Sequence, residues 1–144
     1  MLVKKILNEK PNTTIYTITK DHTINEAVSD LSAHRVGALV VSGDGKTIDG
    51  ILSERDIIRE MGKRGTTCLS ENVGDMMTGE VMCCTMDDTA QMVLETMTQG
   101  RFRHMPVLDK KKLAGVISIG DVVKARLEEI AEENAAMVDM IRGV

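Results

Sequence analysis

The stretch Gly50–Ile57, GILSERDI, returns as Gly115–Val122, GVISIGDV, with Gly, two aliphatic residues, Ser, two variable residues, Asp and an aliphatic residue in the same order. The likeness extends outward. Thr23–Leu31, TINEAVSDL, aligns with Thr89–Met97, TAQMVLETM, at a separation of 66 residues, and Arg35 with Arg101 and Val41 with Val107 keep that separation. Gly50 and Gly115, like Asp56 and Asp121, stand 65 apart. The missing residue falls between SGDGKTID and DKKKLA, where Gly43, Asp44 and Gly45 signal a hairpin turn and a deletion is tolerated. The chain therefore contains a true internal repeat.

Each copy predicts the order strand, helix, strand, strand, helix. In the first, Ile15–Ile18 alternates as a short strand does, and Thr23 with Glu26 forms a Thr-x-x-Glu capping box that starts a helix carrying Ile24, Ala27, Val28 and Leu31 on one face. Residues Ala38–Val41 and Ile48–Leu52 are the paired strands, and Ser53 caps a helix through Asp56, Ile57 and Ile58. In the second copy the corresponding segments are Val81–Thr85, Thr89–Gln99, Met105–Leu108, Ala114–Ile117 and a helix from about Ile119. One copy has a small sheet and little core. Two copies facing each other bury both sheets and create matching clefts between them. The expected division is residues 1–65 for the first repeat, 66–80 for a linker helix, 81–126 for the second repeat and 127–144 for a helical extension.

Composition narrows the function. The chain of 144 residues is 42% hydrophobic and 28% charged, ordinary for a globular protein, and its formal net charge of -4 offers no broad attraction for nucleic acid or anionic lipid. No apolar run reaches the roughly 20 residues of a membrane span, and MLVKKILNEK lacks the apolar centre and cleavage site of a signal peptide. The reading is a cytoplasmic protein with no nucleic-acid or membrane partner. Cys68, Cys83 and Cys84 are odd in number and lack a CxxC spacing, which argues against a disulfide framework or a zinc site. Cys83 and Cys84 fit a strand, one facing each way. His22, His34 and His104 lack metal-ligand spacing, and the Met-rich stretch from Met76 to Met105 reads as flexible core filler in a chain without Trp.

The motifs DHTINEAVSDL, RVGALVV, GILSERDI, DDTAQMVLETM, RFRHMPVLD and GVISIGDVV together resemble a tandem pair of cystathionine-β-synthase-type (CBS) domains over nearly the whole chain. The resemblance implies an α/β (α+β) fold of two βαββα repeats packed face to face through their sheets, a Bateman-type module. It also implies a regulatory role. A Gly lets a ligand approach a strand, Ser presents a hydroxyl at a helix start whose amides receive phosphate, and an Asp three residues later accepts hydrogen bonds from a vicinal diol.

By resemblance, Asp56 and Asp121 are ribose binders, with Ser53 and Ser118 beside ribose or phosphate. Arg103 and His104, before Met105-Pro106-Val107, match the family's phosphate clamp; Arg35, Arg101 and Arg55 are further basic candidates. The remaining candidate binders are Ile18, Val36, Gly37, Ala38, Glu54, Cys84, Phe102, Met105, Pro106, Ile119 and Gly120. Because Gly37 and Ala38 stand where the second copy has Arg103 and His104, two unequal clefts are expected. One presents Val36–Ala38 to an adenine edge and the other is lined by Phe102–His104. The implied ligand is AMP, ADP, ATP or NAD(H), and the implied partners are a second copy of the chain and a regulated protein of unidentified nature.

No catalytic triad, Walker loop, GxGxxG or paired-carboxylate motif is present, so an enzyme is not expected. The rival readings are a structural dimerisation protein with vestigial clefts and a nucleotide-converting enzyme. The apolar positions after Asp121, among them Val122, Val123, Leu127, Ile130, Met137, Val138 and Ile141, predict one long helix that helps form a homodimer.

Overall fold

The computed structural model describes residues 1–143, so Val144, the last position of the expected extension, lies outside the description. The order is α1 (Val3–Glu9), β1 (Thr17–Ile18), α2 (Ile24–His34), β2 (Ala38–Val41), β3 (Gly50–Ser53) and α3 (Glu54–Arg64), then α4 (Val73–Met76), β4 (Cys84–Thr85), α5 (Ala90–Gly100), β5 (His104–Asp109), β6 (Lys112–Ser118) and α6 (Ile119–Ile141). Two three-stranded sheets result, ordered β1-β2-β3 and β4-β5-β6. In the first, β1 runs parallel to β2, with Ile18 beside Val41, and β2 antiparallel to β3, with Val41 beside Gly50. In the second, Cys84 stands beside Val107 and Val107 beside Gly115. The register repeats at the separations of 66 and 65 residues found in the sequence.

The lost residue lies in the hairpin, and the two turns solve it differently. In the first, Gly45 takes a left-handed φ of 74° and the Asp44 carboxylate accepts the amides of Thr47 and Lys46 at 2.7 and 2.8 Å. Those bonds, Thr47's foremost, pull the Asp44 carboxyl down to about 2. The second turn is the two-residue loop Lys110-Lys111, with φ of 51° and 67°. Left-handed φ at both central residues gives the twist a tight hairpin needs.

Each helix pair covers one face of its own sheet. The first core holds Ile18, Ile24, Ala27, Leu31, Leu39, Val41, Leu52 and Ile57; the second holds Cys84, Ala90, Val93, Met97, Met105, Val107, Ile117, Val122 and Ala125. Alternation along β2 and β5 turns Val40 and its counterpart Pro106 to the opposite face, and both are buried in the layer between the sheets. The hairpins also meet there, where the Leu113 amide donates to Lys46 O at 3.0 Å.

The sequence reading missed α1, and α1 does not pack where chain order suggests. Val3, Ile6 and Leu7 are buried in the second core, while Val73 of α4 is buried in the first. The Val3 amide donates to Asp88 O at 2.8 Å, and the Val73 amide donates to His22 O at 2.8 Å. Each short helix therefore precedes one unit and seals the other. The expected linker helix is instead a 3₁₀ turn, Gly65–Ser70, followed by the single turn of α4, because Asn72 and Thr78 bridge back to Thr23 and Ile51 of the first unit. Those bridges require extended backbone on either side of α4.

The long helix α6 is present as expected. Val122 and Ala125 in its first turns are buried, whereas Leu127, Ile130, Met137, Val138 and Ile141 are exposed. No helix among the described residues is long and apolar enough to cross a membrane.

Candidate functional site

Both GxxSxxD motifs place Ser at a helix N-cap and Asp at the third helical position. Ser53 Oγ accepts the Asp56 amide at 3.2 Å while the Ser53 amide donates to Asp56 Oδ2 at 3.0 Å. Ser118 and Asp121 repeat the exchange at 3.2 and 2.9 Å. The next amide is satisfied from the other strand of the same unit, since Glu54 N–H donates to Gly37 O at 2.9 Å and Ile119 N–H to Arg103 O at 2.8 Å. Each motif thus ties a β-strand, a helix start and the residues before the neighbouring strand into one rigid corner. Each Asp carboxylate spends its Oδ2 on this corner.

The two corners have different surroundings. Beside Asp56 lies a cleft of about 820 Å³, walled by Ser53, Glu54, Arg55 and Asp56, by Gly37, and by Phe102, Arg103 and His104 of the other unit. Asp56 Oδ1 accepts from Arg59, one turn along α3, at 2.7 Å. Beside Asp121 there is room for only about 50 Å³, next to Lys10, Pro11 and Lys124.

The expectation that Val36–Ala38 and Phe102–His104 line separate clefts is overturned: Gly37 and Phe102–His104 share one. The reason is the face-to-face packing, which brings the starts of β2 and β5 together so closely that a Cβ on Gly37 would lie 3.0 Å from His104 Cε1. Val36 instead walls an adjoining groove of about 550 Å³ with Arg35, Ile58 and Met61, and Gly37 is common to both spaces. Ala38 pairs with Ser53 at the head of β2. Ile18, Cys84 and Met105 are core residues, and Pro106 lies between the sheets, so these four stand apart from the cleft wall. Ser118, Ile119 and Gly120 form the corner at α6 and likewise do not border the large cleft.

The role assigned to the motif glycines also changes. A Cβ on Gly50 would meet Met77 Sδ at 2.6 Å and Thr78 O at 2.7 Å, and a Cβ on Gly115 would meet Leu7 Cδ1 at 3.0 Å. The close approach at both positions is by the chain itself, not by space for a ligand.

Charge in the cleft is mixed, with a cationic excess. Arg55, Arg59, Arg101 and Arg103 stand around Glu54, Asp56 and Glu80. Arg101 and its counterpart Arg35 end α5 and α2 in the left-handed region, with φ of 57° and 54°, which fixes where their side chains leave the backbone. Burial pushes the His104 imidazole below its usual range; nearby Glu54 and Asp121 pull against that shift, and Lys10 and Arg103 add to it. The neutral ring that results is suited to hydrogen bonding. Thr78, Glu80, Val81 and Met82 complete the wall from the connector, with Arg59 from the middle of α3 and Gly100 from the end of α5. Sequence reading missed these because no motif marks them.

Cys84 is 4% exposed, and burial first, with the charges of Asp88 and Cys83, pushes its thiol up to about 12. Among the described residues no cluster of His, Cys, Asp and Glu could hold a metal ion. His34 stacks on Tyr16 with ring centroids 4.0 Å apart.

Two βαββα units, joined sheet to sheet with a Ser/Asp corner in each and a cleft at their junction, have the architecture of a paired regulatory module. The CBS-domain family profile matches residues 3–63 and 73–128, and the chain belongs to that family as a CBS-domain pair. The mitochondrial CBS domain-containing protein CBSX3 of Arabidopsis thaliana is 38% identical over 129 residues, 87% of this chain, which spans 63% of that relative's length. A solved CBS-domain containing protein from Agrobacterium tumefaciens superposes with a TM-score of 0.83 at 41% identity, covering 88% of this chain and 99% of that one. The CBS domain pair of protein MJ0100, solved in complex with methylthioadenosine and S-adenosyl-L-methionine, shares the fold at a TM-score of 0.73 and 20% identity, covering 90% and 98% of the two chains.

Proposed function

We propose that this chain is a regulatory module that binds an adenine nucleotide, AMP, ADP, ATP or NAD(H), in the cleft beside Asp56 and passes its occupancy to a partner protein. The observation that carries the reading is the cleft itself. At about 820 Å³ it is of the size that holds a nucleotide. The Asp56 carboxylate, once Arg59 swings away, is an acceptor for a ribose diol, and Arg55, Arg101 and Arg103 supply forked donors for phosphate. Ile51, Ile58, Val81 and Met82 offer aliphatic surface for a base, with Phe102 and the His104 imidazole as the rings on the wall. The adenosine ligands of the MJ0100 domain pair are of the same chemical class.

The transmitted signal needs a surface. Val28, Ile58 and Val123 on the helices and the exposed apolar positions of α6 suit a second copy of the chain, and a homodimer carrying two clefts is part of the proposal.

Calorimetry with AMP, ATP, NADH and GTP tests the nucleotide reading, which expects heat from adenine ligands and little from GTP. Asp56→Asn keeps an oxygen for the Ser53 amide but removes the charged acceptor, so affinity should fall by about 1.5 to 3 kcal/mol. Absence of binding by every adenine ligand would leave the structural dimerisation reading in possession.

A further inference from the structure

The second Ser/Asp corner is occupied by the chain itself. Comparison of the two units at matching positions shows how. Val3 and Val73 make equivalent backbone contacts, and Leu7 and Met77, each four residues further on, both press on a motif glycine. Beyond that point the segments part. In the first unit the chain leaves α4 extended, Thr78 pairs with Ile51 through bonds of 2.9 and 3.0 Å, and the following residues open the wall of the large cleft. In the second unit α1 runs on to Glu9, and the Lys10 side chain takes over. Its ammonium donates at 3.0 Å to the carbonyl of Val116, the counterpart of Ile51, and lies 3.0 Å from Asp121 Oδ2.

Asp121 Oδ2 therefore already holds the Ser118 amide and the Lys10 ammonium, with about 50 Å³ of space beside it against the several hundred a nucleotide requires. Both side chains of the pair are mostly buried, at 24% and 22% exposed, which weakens screening by salt. Burial pushes the Asp121 carboxyl up, but the Ser118 amide and Lys10 together outweigh it and hold the group below its usual range. The partner of Asp56 is different in kind: Arg59 sits on the same helix, 59% exposed and at the edge of open space.

Resting on the nucleotide reading above, we infer that Lys10 is an internal competitor for Asp121 that silences the second corner, so that each chain takes one nucleotide, at Asp56. A diol can reach Asp121 only by displacing the ammonium and the segment that carries it. That segment, residues 10–15, is irregular and mostly exposed, and its far end is anchored at Tyr16, whose carbonyl accepts the Val40 amide at 3.3 Å, so removal of the lysine frees the part between to retreat.

The test is AMP titration of the full chain and of Lys10→Met, which keeps the aliphatic stem. The wild type should bind one AMP per chain. Lys10→Met should bind two, its second event at least about tenfold tighter than any second event in the wild type, the order expected for loss of a charge-assisted competitor. Lys10→Met combined with Asp121→Asn should return to one. Two comparable sites in the wild type, or a single site in Lys10→Met, overturn the inference. A ligand-free readout separates this inference from the nucleotide reading: carbon-detected titration of the Asp121 carboxyl should show a higher pKa in Lys10→Met. If AMP, ATP and NADH all fail to bind either protein, the nucleotide reading fails. In that case a raised Asp121 pKa still supports the Lys10 lock, and an unchanged one removes it.

Discussion

Alanine at Gly50 and alanine at Gly115 are the same substitution at equivalent positions, yet they should differ sharply in cost. At Gly50 the new methyl meets Met77 Sδ at 2.6 Å and the backbone oxygen of Thr78 at 2.7 Å. The methionine tip can swing away. The carbonyl cannot move without opening the Ile51–Thr78 bridge, whose bonds are 3.0 and 2.9 Å long. Two hydrogen bonds at about 1 kcal/mol each and about 1 to 3 kcal/mol of overpacking, less the roughly 0.4 to 1 kcal/mol gained by restricting the unfolded chain, leave a loss of about 2 to 5 kcal/mol. At Gly115 the nearest atoms are Leu7 Cδ1 and Cδ2, at 3.0 and 3.2 Å, the tip of a side chain that can rotate. Its displacement costs about 1 kcal/mol, nearly cancelled by the same entropy gain. Urea unfolding with a common m-value should separate the two variants by about 2 to 4 kcal/mol, Gly50→Ala being the weaker. Equal stabilities, or the reverse order, would refute the argument. If both variants keep wild-type stability and lose only AMP affinity, the glycines serve a ligand and not the chain.

Other consequences can be measured directly. Lys110→Asn with Lys111→Gly places residues that tolerate left-handed φ in the second hairpin, where both lysines have positive φ, and should raise stability by about 1 kcal/mol or more in the same urea assay. Burial raises the thiols of Cys83 and Cys84, the latter to about 12, so an aromatic disulfide reagent at pH 8 should modify native Cys84 only slowly, whereas all three cysteines react in denaturant; rapid native labelling of Cys84 contradicts its placement. His104 has a folded-state pKa below its unfolded value, so the unfolded chain binds more protons between the two. Stability is full above the unfolded value near 6.5 and falls as pH drops toward the folded one, and His104→Gln should flatten that part of the stability profile relative to wild type. Light scattering should give a dimer for the full chain and a weakened one for a chain ending at Arg126, which lacks Leu127, Ile130, Met137 and Val138; a monomeric full chain at micromolar concentration would remove the dimer proposal.

The sequence by itself determined the repeat and most of its geometry. The separations of 66 and 65 residues implied that the pairing of one unit recurs in the other, as it does where Val41 meets Gly50 and Val107 meets Gly115, because hairpin pairing and strand alternation are local and leave a period in the residues. The capping box at Thr23 and the cap at Ser53 were legible for the same reason, donor and acceptor lying three residues apart, whereas the structure adds that Asp56 and Asp121 close the box with Ser53 and Ser118. Tertiary structure alone decided which partners such elements meet. VKKILNE states that Val3, Ile6 and Leu7 share a helical face, but nothing in seven residues says that this face seals the distant second sheet. The glycines of the two motifs carry the same letter, and only packing shows Thr78 against one and Leu7 against the other. Lys10 belongs to no motif; its bond to a carboxylate far along the chain exists because α1 crosses to the other unit and ends one ammonium's reach from Asp121. Short-range chemistry is written in spacing, whereas contacts across the pseudo-symmetric junction depend on how two nearly equal units settle against each other, and there the longer α1 carries Lys10 into one corner while the extended chain after Met77 leaves the other open.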